Sequence, residues 1–479
     1  TVDDNMLSIA LQVQAKLGTD EDKEGYVVKG CQDMDSTKAY VSEFKGDNRG
    51  RMYQAACHGP NGQSSDRSRA LMDLYNVPTD YDVPTVKKAI MAELADMCDD
   101  VKFYAKERKV LGDVDFIVKH IDGESGVSKP WSFVKGCTIM KEIQAGNRPY
   151  IGMAVGLDAK CSGPQLGALM TGDQKLAAAC GMTLVELEDA YHIAIQELDK
   201  VGFTGLTRSD VKKPYMGIFY GQGWAAFTDK EEVSDAVWSS LYGNGMANDD
   251  VAKAFHKAIT ASFGPKMTGV RNLIKDMAKK TQGRTKHFMP DGFEVAMNYK
   301  IKVNALGEIM EYDTARYDVR VRNNAEVYKF INLQMKTLDV HVGDFARNGF
   351  VNMIQATDAL IARLIIVHLK RLGAKHIISV HDCFRVNVTE LHLLEQAIKN
   401  AYQDLFGSKH NIATKDLPKG TDILALYFQG ANKQLIEGEE EVMVSQFFGG
   451  TNKRRMTKVN GQPLTKLIDE LGTSYYFAK

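Results

Sequence analysis

The chain has 479 residues, of which 44% are apolar, and its 60 basic and 61 acidic residues leave a formal net charge of −1. This length can bury a large core and predicts about three domains. No apolar run approaches the roughly 18 residues of a membrane span, and seven cysteines without a Cys-x-x-Cys pair argue against a disulfide framework or a zinc site. We therefore expect a soluble, cytoplasmic protein with reduced thiols and no membrane partner.

The first predicted elements lie at the amino-terminal end. A helix is predicted from Asp4 to Ala15, and a polar loop follows it. We assign residues 1–40 to an amino-terminal extension. The motif Asp47-Asn48-Arg49-Gly50-Arg51-Met52-Tyr53 comes next.

The first candidate catalytic acid is Asp158, which opens the stretch Asp158-Ala159-Lys160-Cys161-Ser162-Gly163-Pro164-Gln165. It follows the apolar run Ile151 to Leu157, which is short enough for a buried strand. A lone acid at a strand end is more often a turn or cap residue than a metal ligand. Asp158 is therefore a candidate metal ligand only if a second carboxylate lies beside it.

A basic helix is predicted from Arg208 to Gly221. At 3.6 residues per turn, Arg208, Lys212, Met216 and Tyr220 share one face. Arg can bind phosphate oxygens bidentately, Lys supplies a point charge, and Tyr offers a ring and a hydroxyl. Pro214 lies inside this segment, so the helix is expected to kink or begin there. The alternative is a solvated basic turn that leads into a core helix.

Further helices are predicted at 184–200 and 231–242. Between Tyr299 and Val321, apolar and polar residues alternate around Ala305-Leu306-Gly307, which predicts a hairpin.

The second candidate acid is Asp382, in His381-Asp382-Cys383-Phe384. The β-branched runs at 377–380 and 385–388 predict two strands of a hairpin with Asp382 at its tip. Two carboxylates held rigidly on a sheet can clamp two divalent ions about 4 Å apart for phosphoryl transfer. Magnesium suits such a site because it needs few, hard oxygen ligands.

In this order, the motifs at Asp47, Asp158, Arg208 and His381 resemble those of the single-subunit, phage and mitochondrial type of DNA-dependent RNA polymerase. The similarity spans residues 40 to 479 and is greatest to the larger, catalytic chain of a two-chain podophage enzyme. It implies an α+β, right-hand polymerase fold with an antiparallel palm sheet and helical fingers. It also implies Mg²⁺ (two ions), a DNA template, an RNA product and ribonucleoside triphosphates.

The resemblance also implies roles for individual residues. Asp158 and Asp382 would be catalytic and bind the metals together with the carbonyl of Ala159. Tyr220 would check the sugar, Gly221 would allow a base pair to approach closely, and His381 would support the hairpin. The remaining nucleotide-binding side chains would be basic: Arg208, Lys212, Arg51 and Arg69.

Gly163 bears on the choice between ribose and deoxyribose. DNA polymerases of the related fold carry a Glu five residues after the first catalytic Asp, where its bulk excludes a 2′-hydroxyl. Gly163 removes that barrier, although turns also use glycine. The Asp47 to Tyr53 motif likewise belongs to the RNA polymerases, so we expect RNA synthesis.

The motif positions suggest a domain organisation. The palm would comprise 41–185 and 356–479, the latter with a carboxy-terminal foot, and the fingers would comprise 186–355 with a specificity hairpin. The few residues before Asp47 leave no room for the family's promoter-binding domain and thumb. We expect a second, smaller polymerase subunit to supply them in a heterodimer, in the host cytoplasm if the chain is phage-encoded.

Three other interpretations remain open. A DNA polymerase of the related fold would use the same acids, but Gly163 and the Asp47 motif disfavour it. A two-metal nuclease also needs paired carboxylates, but it has no need for a helix matched to a triphosphate. A non-catalytic DNA-binding subunit that kept the fold would be expected to lack one of the acids.

Overall fold

The computed structural model describes most of the chain up to Phe406. The described residues are 1–18, 24–40, 42–55, 59–122, 126–159, 161–171, 173–182, 189–280, 287–295, 317–322, 328–333 and 342–406. Helices and short antiparallel strands are both present, so this is a mixed helix-and-sheet protein.

The α-helices of the described residues are α1 (Asp4–Leu17), α2 (Gly25–Gln32), α3 (Asp66–Ala70), α4 (Val83–Ala95), α5 (Val101–Leu111), α6 (Asp113–His120), α7 (Pro130–Gln144), α8 (Ser162–Thr171), α9 (Gln174–Ala179), α10 (Ala190–Asp199), α11 (Arg208–Phe219), α12 (Asp235–Tyr242), α13 (Asp249–Ser262), α14 (Gly264–Lys280), α15 (Val342–Arg371) and α16 (Leu391–Phe406). The strands are β1 (Phe44–Gly46), β2 (Met52–Gln54), β3 (Ala154–Asp158), β4 (His287–Phe288), β5 (Glu294–Val295), β6 (Tyr317–Arg322), β7 (Tyr328–Leu333), β8 (Ile378–Val380) and β9 (Cys383–Asn387).

A three-stranded antiparallel sheet joins two distant parts of the chain. Its strand order is β3-β9-β8, so β9 lies in the middle. The strands predicted from the apolar runs before Asp158 and on either side of Asp382 are confirmed. Their pairing brings residue 158 beside residue 383, although more than 200 positions separate them in the sequence.

Two hydrophobic cores flank this sheet. The first includes Met6, Phe116 and Phe133 and reaches Val155 of β3. The second gathers α8 to α16 and reaches Phe384 of β9. The predicted amino-terminal helix is present as α1, and because its apolar face packs in the first core against α6, it is integrated rather than appended.

Helix α15 is the long central helix of the second core. Its segment Phe345–Arg371 is long and apolar enough to cross a membrane by length and composition, but 72% of its most apolar window is buried inside the protein. It packs against α8, α14 and α16. Burial by neighbouring helices explains the apolar composition of α15.

The remaining predictions concern the helices at 184–200 and 231–242, the hairpin around 305–307 and the carboxy-terminal foot. Helices α10 and α12 fall within the predicted segments 184–200 and 231–242. The predicted hairpin turn at 305–307 lies outside the described residues. Strand β6, at the end of that segment, pairs antiparallel with β7, a partner that the sequence did not predict. Most of the predicted foot, from residue 407 onward, also lies outside the described residues.

Candidate active site

The two predicted acids meet at one end of the sheet. Asp158 is the last residue of β3 and pairs in register with Cys383, which also pairs with Val380 across the β8-β9 hairpin. His381 and Asp382 form the two-residue turn of that hairpin, and His381 adopts the left-handed conformation that such a turn requires, with φ of 58°. This turn holds Asp382 beside the end of β3.

The site is electronegative. Partial burial, followed by the negative charge of Asp382, raises the pKa of Asp158 to about 6. Lys129 and Lys212 act in the opposite direction, although Lys129 also forms an ion pair with Asp96 at 3.0 Å. The sequence interpretation missed Lys129, because nothing in its local pattern distinguishes it from a surface lysine.

The carboxylates of Asp158 and Asp382 fit a divalent cation. The two carboxylates repel each other, and a bound cation would remove this repulsion. Mg²⁺ typically binds one or two protein carboxylates and completes its coordination shell with water and substrate phosphates. Among the described residues, no group of three or more His, Cys, Asp or Glu side chains is arranged to hold a metal. The backbone N–H of Ala159 donates a hydrogen bond to Asp158, and this bond favours the ionised carboxylate.

A third acid, Asp358 of α15, lies near Asp382 and was not singled out from the sequence. It is 6% exposed, and burial raises its pKa to about 6 despite the opposing charge of Arg51. The Arg51 guanidinium donates to Asp358 Oδ2 at 2.7 Å. Arg51 was predicted to contact the nucleotide or duplex; its Nη2 is bonded to Asp358, and the guanidinium also lies near Tyr220.

The turn between β1 and β2 is docked on α15. Asp47 Oδ1 accepts hydrogen bonds from the backbone N–H groups of Arg49, at 2.9 Å, and Arg51, at 3.0 Å. The Arg49 side chain donates to Gln355 on α15. The spacing of Gln355 and Asp358, three residues apart on a helix, is the only sequence signal for this docking.

The His381 ring packs against Tyr53 of β2. The ring centroids are 5.0 Å apart in an edge-to-face arrangement. Burial lowers the pKa of His381, which favours the neutral ring. The hairpin that carries Asp382 therefore rests on the strand that follows the Asp47 turn.

Helix α11 carries the predicted phosphate-binding face. Thr207 and Asp210 form a capping box at its start, and the helix runs from Arg208 through Pro214 to Phe219, so it does not begin at the proline. Lys212 is exposed and close enough to Asp158 to lower its pKa. Arg208 donates to Asp189 Oδ2 at 2.6 Å and lies over the Tyr191 ring.

Tyr220 ends α11 beside the strand-to-helix turn that follows Asp158. Its hydroxyl hydrogen-bonds with the side chain of Ser162, and burial raises its pKa to about 12. A Cβ built on Gly163 would lie 2.6 Å from the Tyr220 hydroxyl oxygen. Gly221 has φ of +91°, the left-handed region that favours glycine.

Arg69 is not brought together with the two acids. It lines a small cavity with Lys135 and Arg385, beside Ala154 at the start of β3. Four residues of extended strand, roughly 13 Å, separate that end of β3 from Asp158. The predicted nucleotide contact for Arg69 is therefore not supported by its position.

No family model matches this chain, and no curated protein matches it. Solved structures that match it include the POL domain of Pol1 from M. smegmatis, in complex with DNA primer-template and dNTP. That chain is 13% identical, the match covers 75% of this chain and 67% of the other, and the TM-score is 0.30.

Proposed function

We propose that this protein is a template-directed nucleotidyltransferase of the right-hand polymerase type, which extends an RNA 3′ end with ribonucleoside triphosphates on a DNA template. The observation that carries the proposal is the meeting of Asp158 and Asp382 at one end of the sheet, opposite the exposed Lys212 of α11. Paired acids alone would also suit a nuclease. The basic helix end and Tyr220 beside them favour a triphosphate substrate.

In this proposal the two carboxylates hold Mg²⁺, and the bound ions would supply charge stabilisation at the attacking and leaving oxygens. The β8-β9 turn and the end of β3 fix both acids on the sheet before substrate arrives. Rigid placement matters because positioning and electrostatics are most of what a protein contributes to phosphoryl transfer.

The side chains of α11 would bind the rest of the nucleotide. Lys212 would place a positive charge on the triphosphate. Arg208 would contribute with the guanidinium nitrogens that do not bind Asp189. Arg51 would act indirectly, because its pair with Asp358 fixes the β1-β2 turn against α15.

The preference for ribonucleotides is proposed from Gly163 and Tyr220. A side chain at 163 would compete with the Tyr220 hydroxyl for the same space, so glycine is what lets that hydroxyl lie beside the turn that follows Asp158. A glutamate there, of the kind that excludes a 2′-hydroxyl, would have to displace Tyr220. The chain therefore favours ribose.

The proposal is tested by extension of an annealed RNA primer on a DNA template with Mg²⁺, with ribo- or deoxyribonucleotides in separate reactions. Ribonucleotide extension by the wild type that is lost in Asp382→Asn supports it. The matched control is Asp250→Asn, an exposed acid at the start of α13, which should extend normally. Extension with deoxyribonucleotides alone would indicate a DNA polymerase, degradation without triphosphates would indicate a nuclease, and no reaction would refute the proposal.

A further inference from the structure

Arg271 of α14 is a partly buried cation, and no acid among the described residues pairs with it. Its Nε is buried and has no hydrogen-bond partner, and burial lowers its pKa to about 10 with only Tyr215 opposing. Within the described part of the chain, no carboxylate lies close enough to raise that pKa. A buried charge without a counter-ion is costly unless other groups compensate for the lost water.

Aromatic rings compensate in part. The guanidinium carbon lies 5.5 Å from the ring centroid of Phe219, 5.2 Å from that of Phe263 and 4.9 Å from that of Phe350. Phe219 ends α11, Phe263 is the residue that follows α13, and Phe350 lies in the first half of α15. Arg271 thus sits where four helices meet, and each ring contributes a favourable cation–π contact.

The remaining compensation comes from the carboxy-terminal end of α11. Arg271 Nη2 donates to the carbonyl oxygens of Ile218, at 3.1 Å, and Phe219. The last carbonyls of a helix lack intrahelical partners and form the negative end of the helix dipole. A cation is therefore stabilised there without an acid.

Ile218 and Phe219, which carry these carbonyls, directly precede Tyr220 and Gly221 in the chain. Ile218 O also accepts the backbone N–H of Gly221 at 3.0 Å, and the His256 ring hydrogen-bonds with the carbonyl of Gln222 at 3.1 Å. Arg271 and His256 thus hold the chain on both sides of Tyr220. An apolar side chain could fill the same space at lower cost, but it could not bind the two carbonyls.

We propose that Arg271 is a positioning residue that holds the end of α11 so that the Tyr220 hydroxyl stays beside Ser162 and Gly163 and discriminates between ribose and deoxyribose. This inference rests on the proposed polymerase function. Arg271 itself touches neither acid. It acts on sugar choice through the backbone of Ile218 and Phe219.

The experiment compares kcat/KM for a ribonucleotide with that for the matching deoxyribonucleotide in wild type, Arg271→Met, Tyr220→Phe and the double variant. Loss of a charged hydrogen bond to the helix end should lower the ratio about tenfold in Arg271→Met. In the Tyr220→Phe background, the same substitution should change the ratio little, because both changes act on one hydroxyl. Arg271→Lys keeps the charge but not the fork and should fall between wild type and Arg271→Met.

A second readout does not need activity. Amide hydrogen exchange at residues 220 to 222 should quicken in Arg271→Met, because these amides depend on the held helix end. Arg67→Met is the matched control, since Arg67 is also buried over a ring, that of Trp131 at 4.7 Å, but in the first core. It should lower Tm without changing the sugar ratio or the exchange at 220 to 222.

The outcomes separate the two proposals. A wild-type chain that extends with neither nucleotide refutes the polymerase function itself. An active wild type whose sugar ratio is unchanged in Arg271→Met, or changed equally in Arg67→Met, overturns the role of Arg271. If Arg271→Met does not fold, Arg271→Lys decides by the same ratio.

Discussion

The hydroxyl of Tyr220 occupies the space into which any side chain at position 163 would extend. A Cβ on Gly163 would lie 2.6 Å from that oxygen and 2.9 Å from the Phe219 ring. Two motifs that are far apart in the sequence are therefore complementary in shape. The absence of a side chain after the first acid is what allows Tyr220 to reach the site.

We expect Tyr220→Phe to retain RNA synthesis but to admit deoxyribonucleotides more readily, because the group that checks the sugar is removed. A site that loses one sugar-sensing hydroxyl should lose roughly tenfold or more in discrimination. Ser162→Ala is the comparison, since it removes only the partner of that hydroxyl. Competition between labelled ribo- and deoxyribonucleotides measures both, and unchanged selectivity in Tyr220→Phe would remove the assigned role.

Gly163→Ala should destabilise the protein by about 1 to 3 kcal/mol, the usual cost of overpacking. The added methyl group meets both Tyr220 and the buried Phe219. In Gly163→Ala/Tyr220→Phe, part of this loss should be recovered, since one clashing atom is gone. Urea unfolding of the four proteins gives the coupling energy, and strictly additive effects would contradict the contact.

Lys212→Ala should raise KM for the triphosphate and lower kcat, because a positive charge near Asp158 is lost from the phosphate-binding face. The matched control is Lys213→Ala, one residue further on α11. Lys213 is also exposed, but it donates to the carbonyl of Glu232 instead. Steady-state extension kinetics distinguish the two, and equal effects would show that only general charge matters.

Asp158→Asn should abolish extension and also raise the thermal stability of the metal-free protein above about pH 6. The pKa of Asp158 in the folded chain is raised to about 6, so its ionised form opposes folding at higher pH. As pH falls through 6, the carboxyl protonates and the advantage of Asn should fade. Thermal melts in EDTA at pH 8 and pH 4.5 test this, and a variant that melts below wild type at pH 8 would contradict it.

Arg51→Met should destabilise the fold by roughly 3 kcal/mol, because Asp358 would stay buried without its partner. Arg51→Met/Asp358→Asn should recover much of the loss, since the unpaired charge is removed. Denaturant unfolding at pH 8 measures the free energy of unfolding of the wild type, Arg51→Met, Asp358→Asn and the double variant. A single variant as stable as wild type would show that the 2.7 Å pair contributes little.

The sequence by itself determined the local elements of the site. Apolar runs next to an acid predicted β3, β8 and β9, and the spacing of Arg208, Lys212 and Tyr220 predicted α11, because these signals depend on neighbours along the chain. The helix does not begin at Pro214, which was one of the two expected outcomes, because a proline within a helix removes only one hydrogen bond and the buried packing of α11 outweighs that loss. One continuous helix therefore connects Arg208 to Phe219, and Tyr220 follows directly, as its predicted spacing requires.

Only the tertiary structure decided which charges are neutralised within the protein. Arg51 pairs with Asp358, Arg208 with Asp189, and Arg69 lies at the far end of β3, whereas Lys212 stays exposed beside Asp158. From the sequence, the resemblance implies a nucleotide-binding role for all four basic residues. Ion pairing depends on distance through space and on burial, and a local pattern contains neither. For the same reason, the sequence could not predict that Arg271 donates hydrogen bonds to the last carbonyls of α11.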